Sequence, residues 1–285
     1  MDSYEIKFIC NGKEVSQQEI RDVESERYRV AFDVMYRAGC EAQRNGRALA
    51  LEECDMLPLE DAREVLANLK ESLGRQGVLK ALAEELAAGE AQWRSIANAS
   101  RAHENLQPVI VEVEARGIDI AQFMLVNQGL AKENSLATPS RIHPEHYYFN
   151  AGTGGQQTIV ETFGMYGHPV HLHLIPAKDA FKPIEPDDDT LFSMCGITNF
   201  ASDDTDSKIV GMHQFKRRDS GLGVKLGVFL PEAAPAEAVE GHTWHLVVEF
   251  NNALHKAARQ HPNWLQRKAV GIALSRMAKR EYSGA

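Results

Sequence analysis

The chain has 285 residues, 44% hydrophobic and 25% charged, enough for one large domain or two modest ones with an ample core. Its formal net charge of −9 excludes a nucleic-acid binder that works by neutralising phosphates, and no Lys/Arg stripe overrides that balance. No apolar run reaches the ~20 residues of a bilayer span, and Met1-Asp2-Ser3-Tyr4-Glu5 lacks a basic-then-apolar secretory pattern. A cytoplasmic protein with no membrane partner is expected. Four widely spaced cysteines, Cys10, Cys40, Cys54 and Cys195, form no Cys-x-x-Cys pair and read as free structural thiols.

Tyr4 to Phe8 reads as a short strand closing at Asn11-Gly12. From Ser16 to Asn45, apolar residues such as Ile20, Val23, Tyr28, Ala31, Val34 and Met35 recur at helical intervals, with a stop at Gly46. Further helices are predicted over 59–73 and 78–100. Residues 1–105 therefore read as a helical N-terminal subdomain that packs on the rest or forms a homodimer. After Gln107 the period becomes two. Val109 to Glu114 alternates as a strand, and Ile118 to Val126 is predicted as another, across a turn at Gly117. A polar loop spans Lys132 to Ser140. Six more strands are predicted over 147–150, 157–163, 170–175, 191–200, 208–215 and 224–230, parted by turns such as Gly152-Thr153-Gly154-Gly155. A long helix runs from Ala236 to Gln260, and after Pro262 another continues to Glu281. This order predicts an α+β fold in which residues 106–285 form a helix-grip domain. Its curved antiparallel sheet would wrap on the long C-terminal helix and leave a cavity between them.

The chemistry concentrates in that second part, since all eleven histidines lie after residue 100. His245 and Glu249 are one turn apart on one face of the long helix, with Leu246, Val247 and Val248 between them. Taken alone they read first as a surface His–Glu pair worth ~0.2–0.5 kcal/mol. Other residues supply a second reading. Alternation puts Ile159, Glu161 and Phe163 on one strand face, so Glu161 points into the cavity if that face is concave. A lone inward carboxylate either takes a raised pKa or finds a cation. His143-Pro144-Glu145-His146 precedes a strand. His146, Glu161, His245 and Glu249 thus form a set of two imidazoles and two carboxylates suited to Zn2+, with iron or manganese as alternatives. His171-Leu172-His173 has the spacing of a cupin metal pair but lacks the following Glu. Asp187-Asp188-Asp189 lacks the alternating ligands of a calcium loop. No Gly-x-Ser-x-Gly elbow is present.

The order of these segments resembles the 2,4-diacetylphloroglucinol hydrolase family. It is carried by His143-Pro144-Glu145-His146, Val160-Glu161-Thr162-Phe163-Gly164, His213 with the following Arg217, Arg218, Asp219 and Gly221, and His245 through Glu249, Phe250 and Asn252. The resemblance covers about residues 138 to 260. It implies a Bet v1/START-like helix-grip domain and a zinc site of two His and two Glu. The implied reaction is hydrolysis of the carbon–carbon bond between an acyl group and a phenolic or β-diketone-like partner. By motif the ligands fall on His146, Glu161, His245 and Glu249, with His143 an alternative to His146. His213, Tyr147 and Tyr148 are the expected acids, and His143 and Asn252 the expected contacts to an aromatic or polyketide small molecule. The chain departs from the family in a shorter stretch between His146 and Glu161, in Thr138 where the family carries a tyrosine, and in Gly223-Val224-Lys225-Leu226-Gly227 after the Asp219 turn. These departures leave the metal set intact and leave the substrate open. A reading from a different class is a non-catalytic helix-grip protein that binds an apolar polyketide or lipid-like ligand.

Overall fold

The computed structural model describes residues 4–132, 135–151, 156–177 and 181–282, so the predicted turn at 152–155 lies outside the described residues. The chain begins with a hairpin of β1 (Glu5–Cys10) and β2 (Lys13–Val15). Helix α1 (Gln17–Arg37) follows, started by a capping box between Ser16 and Glu19. It ends eight residues before the predicted Asn45. Gly39 takes a left-handed turn, and Asn45-Gly46, both at positive φ, form the tip of a small hairpin of β3 (Gln43–Arg44) and β4 (Arg47–Ala48). Next come α2 (Leu51–Asp55), α3 (Leu59–Ala81) and α4 (Ala83–Ala99).

The remaining elements are β5 (Gln107–Arg116), α5 (Ile120–Lys132), α6 (Ala137–Ile142), β6 (Tyr148–Ala151), β7 (Gln157–Glu161), a 3-10 turn (Phe163–Met165), β8 (Val170–Pro176), β9 (Thr190–Phe200), β10 (Asp206–Arg218), β11 (Gly221–Leu230), α7 (Ala236–Ala258) and α8 (Trp264–Tyr282). Residues 118–126, predicted as a strand, belong mostly to α5. The helix wins because Asp119 and Gln122 cap each other through both backbone N–H groups, at 2.8 and 3.0 Å. The predicted loop at 132–140 contains the start of α6.

Among the described residues, nine strands form one open antiparallel sheet in the order β2-β1-β5-β11-β10-β9-β8-β7-β6. The fold is therefore α+β with a large antiparallel sheet. Residues 1–105, expected as a helical subdomain, also supply β1 and β2, because β1 pairs with β5 along its whole length. Alternation sets the main core. Val109, Val111, Val113, Leu222, Val224 and Leu226 face Leu246, Val247, Val248 and Leu254 of α7. A second core joins α1 and α3 with Tyr147 and Val160. A small cluster of Val210, Met212 and Phe229 lies apart from both. All four cysteines are free, and burial pushes the Cys10 and Cys195 thiols up to about 11.

Candidate metal centre

Three segments meet where β7 ends against α7. The loop from α6 into β6 brings His143 and His146, the last residue of β7 is Glu161, and α7 brings His245 and Glu249. Ligand atoms of His143, His146 and His245 all lie within 4.8 Å of one another. Glu161 Oε2 is 3.6 Å from His146 Nε2 and 3.8 Å from His245 Nε2. Donors at about 2.0–2.2 Å from one tetrahedral ion sit roughly 3.4 Å apart, so each imidazole is near that spacing from Glu161, while the imidazoles themselves lie within 4.8 Å of one another.

The electrostatics suit a divalent cation. Burial holds His143 and His245 well below the usual imidazole range. Burial and the charge of Lys70 push His146 down to about 3. Burial first, then Glu249 and Glu145, raises Glu161 well above the usual carboxylate range, and burial raises Glu249 to about 7. The two nearby protein cations are committed elsewhere. Arg27 pairs with Glu145, and Lys70 donates to the carbonyls of Pro144 (2.6 Å) and His146 (3.0 Å). Neutral imidazoles beside carboxyls that resist ionising form a donor set for a divalent ion. His143 differs from the other two. Its Nδ1 accepts the Glu145 backbone N–H at 3.2 Å, which places the ring proton on Nε2, and its ring stacks on His245 at 3.7 Å between centroids. Its buried Nε2 has no hydrogen-bond partner among the described residues, and both His143 and His146 belong to the cluster.

The other predicted residues lie in different settings. On β10, His213 Nδ1 accepts the Gly227 N–H at 3.3 Å, which leaves its proton on Nε2, and burial pushes its pKa down to about 4. Its Nε2–H is available as a hydrogen-bond donor. Tyr147 and Tyr148 both pack on the second core, away from the Ile159–Glu161 face of β7. Asn252 donates to Glu24 (2.8 Å) and to the Ile142 carbonyl (3.0 Å), so it ties α7 to α1 and α6. His173 pairs with Asp204 at 2.8 Å, and Asp187 with Lys216 and Lys225. The sequence reading missed Arg27, Lys70, Glu145 and His242. Arg27 and Lys70 gave a signal, since both sit on the buried apolar stripes of α1 and α3 where a charge needs a reason.

The site depends on a close backbone approach. Gly164, at φ +68°, lies against Gly241, and a Cβ on Gly241 would meet the Gly164 carbonyl oxygen at 2.0 Å. Gly241→Ala is expected to cost about 1–3 kcal/mol, read as a lower Tm, because backbone must move apart. An unchanged Tm contradicts this packing.

Proton competition sets a second expectation. Ligands bind metal deprotonated. Below pH 7 the carboxyls take protons first, since Glu249 titrates at about 7 and His146 at about 3. Metal affinity therefore falls as pH drops through about 7, where Glu249 takes its proton, by about tenfold per unit for each proton displaced, and the raised Glu161 adds to the loss. Zinc titrations from pH 5.5 to 8.5 should show this, and Glu249→Gln should weaken and shift the inflection. An inflection unchanged in Glu249→Gln assigns it to Glu161 instead.

Together the fold and the cluster define an α+β protein with buried histidines able to hold a metal ion. No protein-family model and no curated protein matches the chain. Among solved structures it is similar to protein Ms6760 from Mycobacterium smegmatis, with 15% identity, coverage of 54% of this chain and 93% of that chain, and a TM-score of 0.30. A likeness at that score says nothing of fold or function. No helix among the described residues is long and apolar enough to cross a membrane.

Proposed function

We propose that the chain is a metal-dependent hydrolase that cleaves the carbon–carbon bond between an acyl group and a phenolic or β-diketone-like carbon. The observation that carries this is the convergence of His146, Glu161 and His245 within 3.6–3.8 Å contacts to Glu161, beside Glu249. These are the four positions at which the sequence resembles the diacetylphloroglucinol hydrolases. In this reading the sheet and α7 form a helix-grip, and His146, Glu161, His245 and Glu249 hold zinc, with iron or manganese as alternatives.

A bound divalent ion supplies Lewis acidity to the acyl carbonyl and lowers the pKa of water to about 7. The protein orients the rest. Water adds its oxygen to the acyl carbon, the carbon–carbon bond breaks with its electron pair on the ring carbon, and that carbon takes a proton, so the sum of the step is water alone. His213 Nε2–H holds an oxygen of the departing ring. The apolar part of the substrate rests on the face of the sheet that carries Ile159, Met194 and Gly211. Met194 is 37% exposed, and a Cβ at Gly211 would meet no atom within 4 Å, which is room for a ligand.

The test is a panel of acylphenols and β-diketones given to zinc-loaded protein, with products read by mass spectrometry. Equimolar carboxylic acid and deacylated ring, absent without metal, are expected. An untouched panel that nevertheless binds metal-free protein favours the ligand-binding reading, for which the same open inner face speaks.

A further inference from the structure

Two of the three segments that meet at the cluster share one buried guanidinium, and its ion-pair partner reaches the third. Arg27 of α1 is fully buried. Its NH1 donates to Glu145, inside the loop that carries His143 and His146, and its NH2 donates to the Gly241 carbonyl on α7, one turn before His245. The second oxygen of Glu145 accepts the Met165 N–H at 3.1 Å, in the turn that follows Glu161, and lies 4.0 Å from His245 Nδ1. One ion pair thus touches every segment from which a metal ligand projects, although neither partner is placed to be a ligand. A planar fork that reaches two acceptors in different directions fixes a separation, as a point charge does not.

We infer that Arg27 and Glu145 are positioning residues that set the spacing of His146, Glu161 and His245, and so tune metal affinity. This rests on the metal reading above. It explains why a costly buried ion pair stands where apolar side chains would pack as well, since such pairs contribute little net stability. It also gives the N-terminal helices a part in the site.

The test separates spacing from stability. Arg27→Met leaves Glu145 buried and unpaired and should lower Tm sharply. The double variant Arg27→Met/Glu145→Leu removes both charges and should recover most of that Tm. It is nevertheless expected to bind zinc about 10- to 100-fold more weakly than the native protein, the usual effect of losing partners that orient ligands. Its cobalt(II) form should show shifted visible bands. Arg27→Lys, which keeps the charge and loses the fork, is expected to fold and to show the same weakening, and it serves if the double variant does not fold. Native zinc affinity and cobalt spectrum in the folded variants overturn the inference alone. Native protein that takes up no zinc or cobalt overturns the metal reading and this inference with it.

Discussion

A His146→Ala/His245→Ala protein is expected to fold and to lose metal affinity by roughly four orders of magnitude. Zinc held by four donors at a structural site is worth about 10–16 kcal/mol, so each donor carries about 3 kcal/mol and two removed donors about 6. The fold should survive because Leu246, Val247, Val248 and Leu254 pack on the sheet independently of the two imidazoles. Circular dichroism checks the fold, and equilibrium dialysis against zinc checks the affinity. A folded double variant that binds zinc as the native protein does would remove these residues from the site.

The second large effect lies outside the ligand set. Trp93 of α4 is fully buried and starts a run of ring contacts into the site. Trp93 meets Phe163 at 5.1 Å, Phe163 stacks on His242 at 5.0 Å, His242 on His245 at 4.7 Å, and His245 on His143 at 3.7 Å. Trp93→Ala should cost about 3–5 kcal/mol, the range for emptying a large aromatic site, and lower Tm by about 10 °C. The turn after Glu161 loses its backing, so zinc affinity should fall as well. A thermal melt within 2 °C of native, on the order of a surface substitution, contradicts this role.

Residues close in sequence were legible, and contacts between distant segments were not. Alternation along residues 157–163 put Ile159, Glu161 and Phe163 on one face; β7 holds Ile159 and Glu161 but ends at Glu161, and Phe163 lies in the 3-10 turn beyond it, with Ile159 packed on the main core. The spacing of His245 and Glu249 on one helix face was likewise readable. Residues 118–126 misled because an apolar run rich in Ile, Val and Phe suits either period; the Asp119-Ile120-Ala121-Gln122 box was the sign of a helix. Tyr147 and Tyr148 were expected as acids, and no local pattern places either ring. Tyr147 precedes the first residue of β6, and both rings join the second core. The Arg27–Glu145 pair spans 118 residues and Lys70 reaches a loop 74 residues away, separations for which no local pattern exists.

The most direct measurement is the metal content of the purified, folded protein by elemental analysis after dialysis against trace zinc, iron and manganese. About one ion per chain, expected for a site with two His and two Glu donors, supports the metal centre. A folded protein that holds none, and takes up none when offered, contradicts it.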